Sequence, residues 1–327
     1  MGASRRSYPR FRREDAGKAV ELTDDDVAII RCVYRHRFVR ADDLYRLFSD
    51  RTPDRISRRL TALYRAGFLD RPIAQIDRFR QGGSQAFVYG LDTAGARLLK
   101  EKFAIPIGVA NWKSRNRSYT RESLDHTLAI SQFMVGVEVS CRARDELSLI
   151  TLEEMLKNAP PGVRSARFPG RWPVDLRFHG ARGIVYLIPD AIFGLRVRRP
   201  DGTARSSYWF VEIDRGTMTI APSERVQESD AFIHRATILR KLAAYAESFR
   251  QELHKKHFGI QAPRMVLLTT SSARAEAMRR AATDIVAGQG VPAGAVVFGV
   301  LPEDGNLVEL KLVDTAARRL QLVPPLA

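Results

Sequence analysis

Cysteine is almost absent from this 327-residue sequence, and its two copies, Cys32 and Cys141, stand far apart, each inside an apolar helical pattern. That placement excludes a CxxC zinc site and speaks against a structural disulfide, in keeping with a reducing compartment. Long apolar runs are missing as well. None approaches the roughly 18 residues of a membrane span, and the start is basic and polar rather than a signal peptide, so a cytoplasmic protein with no membrane partner is expected. Lysine is scarce too, at nine of the 53 basic residues. The cations are therefore mostly arginine, which suits bidentate recognition of phosphates and guanine edges. A GC-rich coding sequence would give the same Arg/Lys ratio, but not the excess over acids. The net charge is +16, and it is uneven: residues 1–120 carry 25 Lys/Arg against 14 Asp/Glu, residues 121–327 carry 28 against 23. Double-stranded DNA is the expected partner.

The length suggests two domains, each able to bury a core. Residues 1–21 read as a disordered basic arm, with Arg5, Arg6, Arg10, Arg12 and Arg13 and little apolar content. From Leu22 a helical pattern starts, with Thr23 as its cap, acids in its first turn, and Val27, Ile30, Val33 and Tyr34 as its stripe. A second short helix follows Ala41, and a third begins at Thr52-Pro53, buries Ile56, Leu60 and Leu63, and ends at Gly67. Its other surface displays Arg55, Arg58, Arg59 and Arg65, which repel one another unless something anionic covers them. Two strand-like segments then flank a Gly-Gly tip that carries Arg78 and Arg80. Three helices and a basic hairpin in this order resemble a winged helix-turn-helix over residues 22–102, whose third helix enters the major groove. A basic linker is expected at 103–120. Residues 121–327 alternate helices and strands, an α/β (α+β) domain.

Within that domain, Ile184–Phe193 and Tyr208–Gly216 read as strands bearing acids. Alternate residues of a strand share a face, so Glu212 and Asp214 project to one side about 7 Å apart, with Trp209, Val211 and Ile213 opposite. Asp190 follows Pro189 where the preceding apolar run breaks, and could join them. Clustered acids repel and cost desolvation unless cations or a hard, oxygen-seeking metal such as Mg²⁺ or Mn²⁺ compensate them. Asp190, Glu212 and Asp214 are accordingly the candidate metal ligands. His126 lies on the stripe of a long helix from about Arg121 to Arg144. Lys241 and Tyr245 sit one turn apart on a helix of about 236–253, with Tyr245 read as packing.

A helix, strands carrying Pro-Asp and then Glu-x-Asp, and a helix bearing Lys-x-x-x-Tyr are similar to the restriction-endonuclease-like nuclease core, the PD-(D/E)XK arrangement. In that core Asp and Glu bind Mg²⁺, and a lysine two positions after the Glu helps activate water. Asp214 holds the lysine position here, and the resemblance leaves the positive charge to Arg215 or Lys241. Together with the winged helix, His126-x-Leu, Pro189-Asp-Ala, Glu212-Ile-Asp-Arg-Gly and Lys241-Leu-Ala-Ala-Tyr resemble the replication-relaxation family, which includes MOBC-type plasmid relaxases. The likeness spans roughly residues 22–270. It implies a mobile-element protein that recognises an origin-like site and nicks DNA by metal-dependent phosphodiester hydrolysis, with Asp190, Glu212, Asp214, Lys241, Arg215 and His126 as catalytic candidates. Relaxosome or conjugation proteins are implied partners, and a second copy of the chain is a candidate partner. The alternative is a non-catalytic DNA-binding accessory of the relaxosome or of replication, or a transcriptional regulator, with a degenerate nuclease domain. Asp214 in place of lysine favours it. The six scattered histidines do not support a histidine cluster acting with a catalytic tyrosine.

Overall fold

The computed structural model describes residues 20–76, 86–103, 111–302 and 310–322, together with positions 11, 13, 105, 107 and 305–307. The chain divides into two compact units, residues 1–135 and 136–327.

In the first unit, α1 (Asp24–His36) opens with a capping box: Asp26 N donates to Thr23 Oγ1, and Thr23 N donates back to the Asp26 carboxylate at 2.7 Å. Its stripe of Val27, Ile30 and Val33 is buried. Strand β1 (Phe38–Arg40) and α2 (Ala41–Leu47) follow, then α3 (Pro53–Arg65), whose start is fixed by Thr52 as cap and Pro53 in the first turn. The helix gives way at Gly67, whose φ of +81° is left-handed backbone that glycine adopts without a Cβ clash. Strands β2 (Leu69–Asp70) and β3 (Val88–Leu91) complete an antiparallel sheet of order β1-β3-β2. The three helices and this small antiparallel sheet follow one another in the order read from the sequence. The hairpin tip, including Arg78 and Arg80, lies outside the described residues.

Two differences from the sequence reading arise in this unit. After α4 (Thr93–Phe103), the stretch expected to be a linker holds α5 (Trp112–Arg117), capped by Asn111. Buried Asn116 donates to Asp70 Oδ2 and to Leu91 O, each at 2.9 Å, which ties α5 to the sheet. A six-residue helix is too short to leave a period in the sequence. Arg13, read as part of a disordered basic arm, instead forms an ion pair with Asp92 at 2.5 Å, donates to Tyr64 O and lies over the Tyr64 ring.

Helix α6 (Arg121–Arg142) leads into the second unit. There β4 (Leu147–Ile150) is followed by a separate hairpin of β5 (Trp172–Phe178) and β6 (Ala181–Leu187), then β7 (Ala191–Arg198) and β8 (Ala204–Ile213). Next come α7 (Ile238–Arg250), β9 (Arg264–Thr269), α8 (Ser272–Gly288), β10 (Val296–Val300), β11 (Leu312–Asp314) and β12 (Arg319–Leu320). Except for the hairpin, these strands make one sheet of order β12-β11-β10-β9-β8-β7-β4. Strands β4, β7 and β8 are antiparallel neighbours, while β8, β9 and β10 run parallel. Parallel neighbours need crossovers, which α7 and α8 supply. Helix, three antiparallel strands, helix and parallel strand in succession give the α/β class expected. The apolar segment Ile184–Phe193 is two strands in two sheets, broken at Pro189-Asp190.

The core lies between sheet, hairpin and helices. Trp172 of β5, Phe210 of β8 and Phe258 pack with ring centroids 5.2–6.0 Å apart, and Phe249 of α7 stacks on Phe210. Among the described residues, no helix is long and apolar enough to cross a membrane.

Candidate functional site

Strand β8 is central, so residues 209–213 are buried on both faces and Glu212 is only 2% exposed. A carboxylate there needs partners, and α7 provides them. Lys241 Nζ donates to Glu212 Oε2 at 2.5 Å, and the Tyr245 hydroxyl, one turn on, donates to Oε1 at 2.7 Å. Tyr245 therefore does more than pack. Asp190 sits one residue before β7 and extends its ladder: its N–H donates to Val211 O at 2.9 Å, and its Oδ2 accepts the Ile213 N–H at 2.8 Å. The backbone on either side of Glu212 thus fixes Asp190 beside it. Burial pushes the Glu212 carboxyl up to about 7, with Lys241 pulling it down and Asp190 pushing it further up. Burial pulls the Lys241 ammonium down, but Glu212 and Asp190 outweigh this and raise its pKa.

Asp214 shares the Glu212 face of β8 but belongs to another network. Arg274 of α8 grips it through Nε at 2.6 Å and Nη2 at 3.1 Å, Thr269 Oγ1 donates at 2.7 Å and Gly216 N at 3.1 Å. Burial raises its pKa, yet these hydrogen bonds more than offset that, and the net direction is down. Among the described residues, no three His, Cys, Asp or Glu side chains gather as a metal-holding group. The convergence of Asp190, Glu212 and Asp214 read from the sequence is thus replaced by a pair with a lysine, because Arg274 takes the third acid. Arg215 is exposed, and half-buried His126 falls in the first unit while the acids fall in the second.

The raised Glu212 pKa sets a pH dependence. An acid whose folded pKa lies above its unfolded value contributes stability that is complete below about 4.5 and is lost as pH rises through about 7. In chelating buffer, wild type should lose stability relative to Glu212→Gln over that window, by on the order of 3 kcal/mol. Urea denaturation of both proteins at about pH 5 and about pH 8 measures the difference; parallel behaviour would mean Glu212 is charged throughout.

On α3 of the first unit, the anionic cover for two of the four arginines comes from the protein itself. Arg59 forms a bidentate pair with Asp26, whose side chain is fully buried, and Arg55 Nη2 reaches Asp25 Oδ2 at 3.1 Å. The same acids that favour the start of α1 therefore bind α3. Arg58 is exposed and, among the described residues, reaches Asp54 O of its own helix, at 3.4 Å; Arg65 is exposed. Arg58 is thus positive charge that α3 presents outward.

A family model described as replication-relaxation matches residues 30–262, from α1 through α7. No curated protein and no solved structure matches the chain.

Proposed function

From the premise that the chain belongs to the replication-relaxation family, and so acts in DNA replication or on mobile elements, we propose that it binds duplex DNA through α3 and nicks one strand at Asp190, Glu212 and Lys241. The observation that carries this is the Lys241–Glu212 contact. The lysine absent two positions after Glu212 is supplied by α7, against the same carboxylate and beside Asp190. The donor set fits a hard divalent ion, since Mg²⁺ binds through one or two carboxylates and keeps waters for the rest. Asp190 and Glu212 would hold it, and Asp214, tied to Arg274, would not. When bound, such an ion supplies charge stabilisation at the phosphate and a more acidic water.

The chain's own groups have defined tasks. The Ile213 N–H orients the Asp190 carboxylate, and the Tyr245 hydroxyl orients Glu212. Lys241 holds a proton on Nζ at neutral pH and presents its charge where a phosphate would carry negative charge. Arg58 contributes to docking the duplex. A second reading, a non-catalytic accessory of replication or of the relaxosome, draws support from the internal satisfaction of Glu212 and Asp214.

Supercoiled plasmid carrying the protein's own element should become open circle with Mg²⁺ or Mn²⁺, and chelation should stop it. Asp190→Ala should abolish nicking with duplex affinity retained, and Lys241→Ala should slow it at least about ten-fold. No open circle on that plasmid, with no metal binding by calorimetry, would favour the accessory reading.

A further inference from the structure

The β5–β6 hairpin uses one face for the core and leaves the other to solvent. Trp172, Val174, Leu176, Val185 and Leu187 point inward and are buried. On the outer face stand Ile184, Tyr186 and Ile188, 52–60% exposed, at the two-residue spacing that shares a face. Phe168, 57% exposed, lies in the turn that enters β5, closed by Arg171 N donating to Phe168 O at 3.0 Å. Four of the five exposed large hydrophobic side chains among the described residues thus gather around this hairpin. Each ring carries a guanidinium: Arg171 lies over Tyr186 at 3.9 Å and Arg167 over Phe168 at 5.1 Å. Residues 161–188 hold five arginines and one acid, Asp175. That acid is already taken by Arg182 at 3.0 Å and Arg177 at 3.6 Å.

We infer that this outer face is a stacking platform for an unpaired DNA strand, feeding it toward Asp190. Flat rings paired with guanidinium groups match the exposed faces of unpaired bases, and the surplus arginines match the phosphates between them. A duplex hides its base faces and offers nothing for these rings to stack on. A second copy of the same face would set the arginines against their own kind, which disfavours self-association. Ile188 is followed by Pro189 and Asp190, so the platform ends two residues from the proposed reaction centre. The direction of feeding rests on the proposed nicking function; the binding of single strands does not.

The test uses full-length protein, fluorescein-labelled oligo(dT) and a duplex of equal length, read by anisotropy. Tyr186→Ala with Phe168→Ala should weaken oligo(dT) binding roughly ten-fold or more and leave duplex affinity unchanged. Tyr186→Phe, which keeps the ring, should bind as wild type. Both side chains are more than half exposed, and an unchanged melting curve will show that the fold is intact. Oligo(dT) labelled with 5-iododeoxyuridine should photocrosslink at Tyr186 or Phe168. The inference is overturned if wild type does not bind oligo(dT), if the double variant binds it equally well, or if sedimentation shows a dimer that the double variant dissociates. The plasmid-nicking assay on wild type separates the two readings: a protein that never nicks but loses oligo(dT) through the aromatic substitutions keeps the platform and loses the nuclease. One that nicks but ignores those substitutions does the reverse.

Discussion

Arg59→Ala will destabilise the first unit by about 3 kcal/mol, whereas Arg58→Ala will leave its stability unchanged and weaken duplex binding. The two residues are neighbours on α3 and look alike in sequence, but Arg59 is the bidentate partner of Asp26, whose side chain is fully buried. Removing the guanidinium strands a carboxylate that also closes the capping box of α1 through Thr23. Burial raises the Asp26 pKa, but the hydrogen bonds from Arg59 and Thr23 more than offset it, and the net direction is down from 3.8. The contribution of this pair is therefore present above about 3.8 and lost as pH falls through the lowered folded value. Arg58 has no such duty; its exposed guanidinium can meet a phosphate or a guanine edge, and its loss should cost about 1–3 kcal/mol of duplex affinity if a base is read directly. Denaturation curves and anisotropy on a cognate duplex decide the matter. An Arg59→Ala protein that melts like wild type and loses DNA would make Arg59 a DNA contact instead.

The contrast shows what was legible in the sequence. Signals local to the chain translate directly: Thr52-Pro53 starts α3, Gly67 ends it, and an acid on an otherwise apolar strand marks Glu212. Pro189-Asp190 marks a break that proves to be the passage from one sheet to another. Contacts between distant positions leave no period or spacing to read. Arg59 meets Asp26 across 33 positions and Arg274 meets Asp214 across 60, so Arg59 and Asp214 looked available when both were taken. The hairpin was missed for a different reason. Trp172–Phe178 alternates inward and outward, but it begins inside a stretch rich in proline and glycine, and its partner β6 runs on into Pro189 and β7 as one apolar run. The Tyr245 hydroxyl bond to Glu212 could have been anticipated from the Lys-x-x-x-Tyr spacing, since residues one turn apart share a helix face.

Arg274→Ala will destabilise the second unit by about 3–5 kcal/mol, and Asp214→Ala/Arg274→Ala will be less destabilised than the sum of the single variants. Asp214 has a side chain only 4% exposed, and Arg274 supplies two of its four hydrogen bonds while also donating to Met218 O beyond β8. Loss of Arg274 alone leaves a buried charge short of partners; loss of both removes the cause of the penalty, which is the signature of a coupled pair. A free metal ligand would behave otherwise: Asp214→Ala would then spare stability in chelating buffer and weaken Mg²⁺ binding by calorimetry. The pairing also predicts the fate of the substitution that would rebuild the familiar nuclease motif. Asp214→Lys sets an ammonium against Arg274 in a site built for a carboxylate, so it should unfold the second unit rather than restore a catalytic lysine. Under the proposed nicking function Lys241 takes that part, donating to Glu212 from the helix instead of the strand. A stable, more active Asp214→Lys protein would refute the assignment of Asp214 to the scaffold.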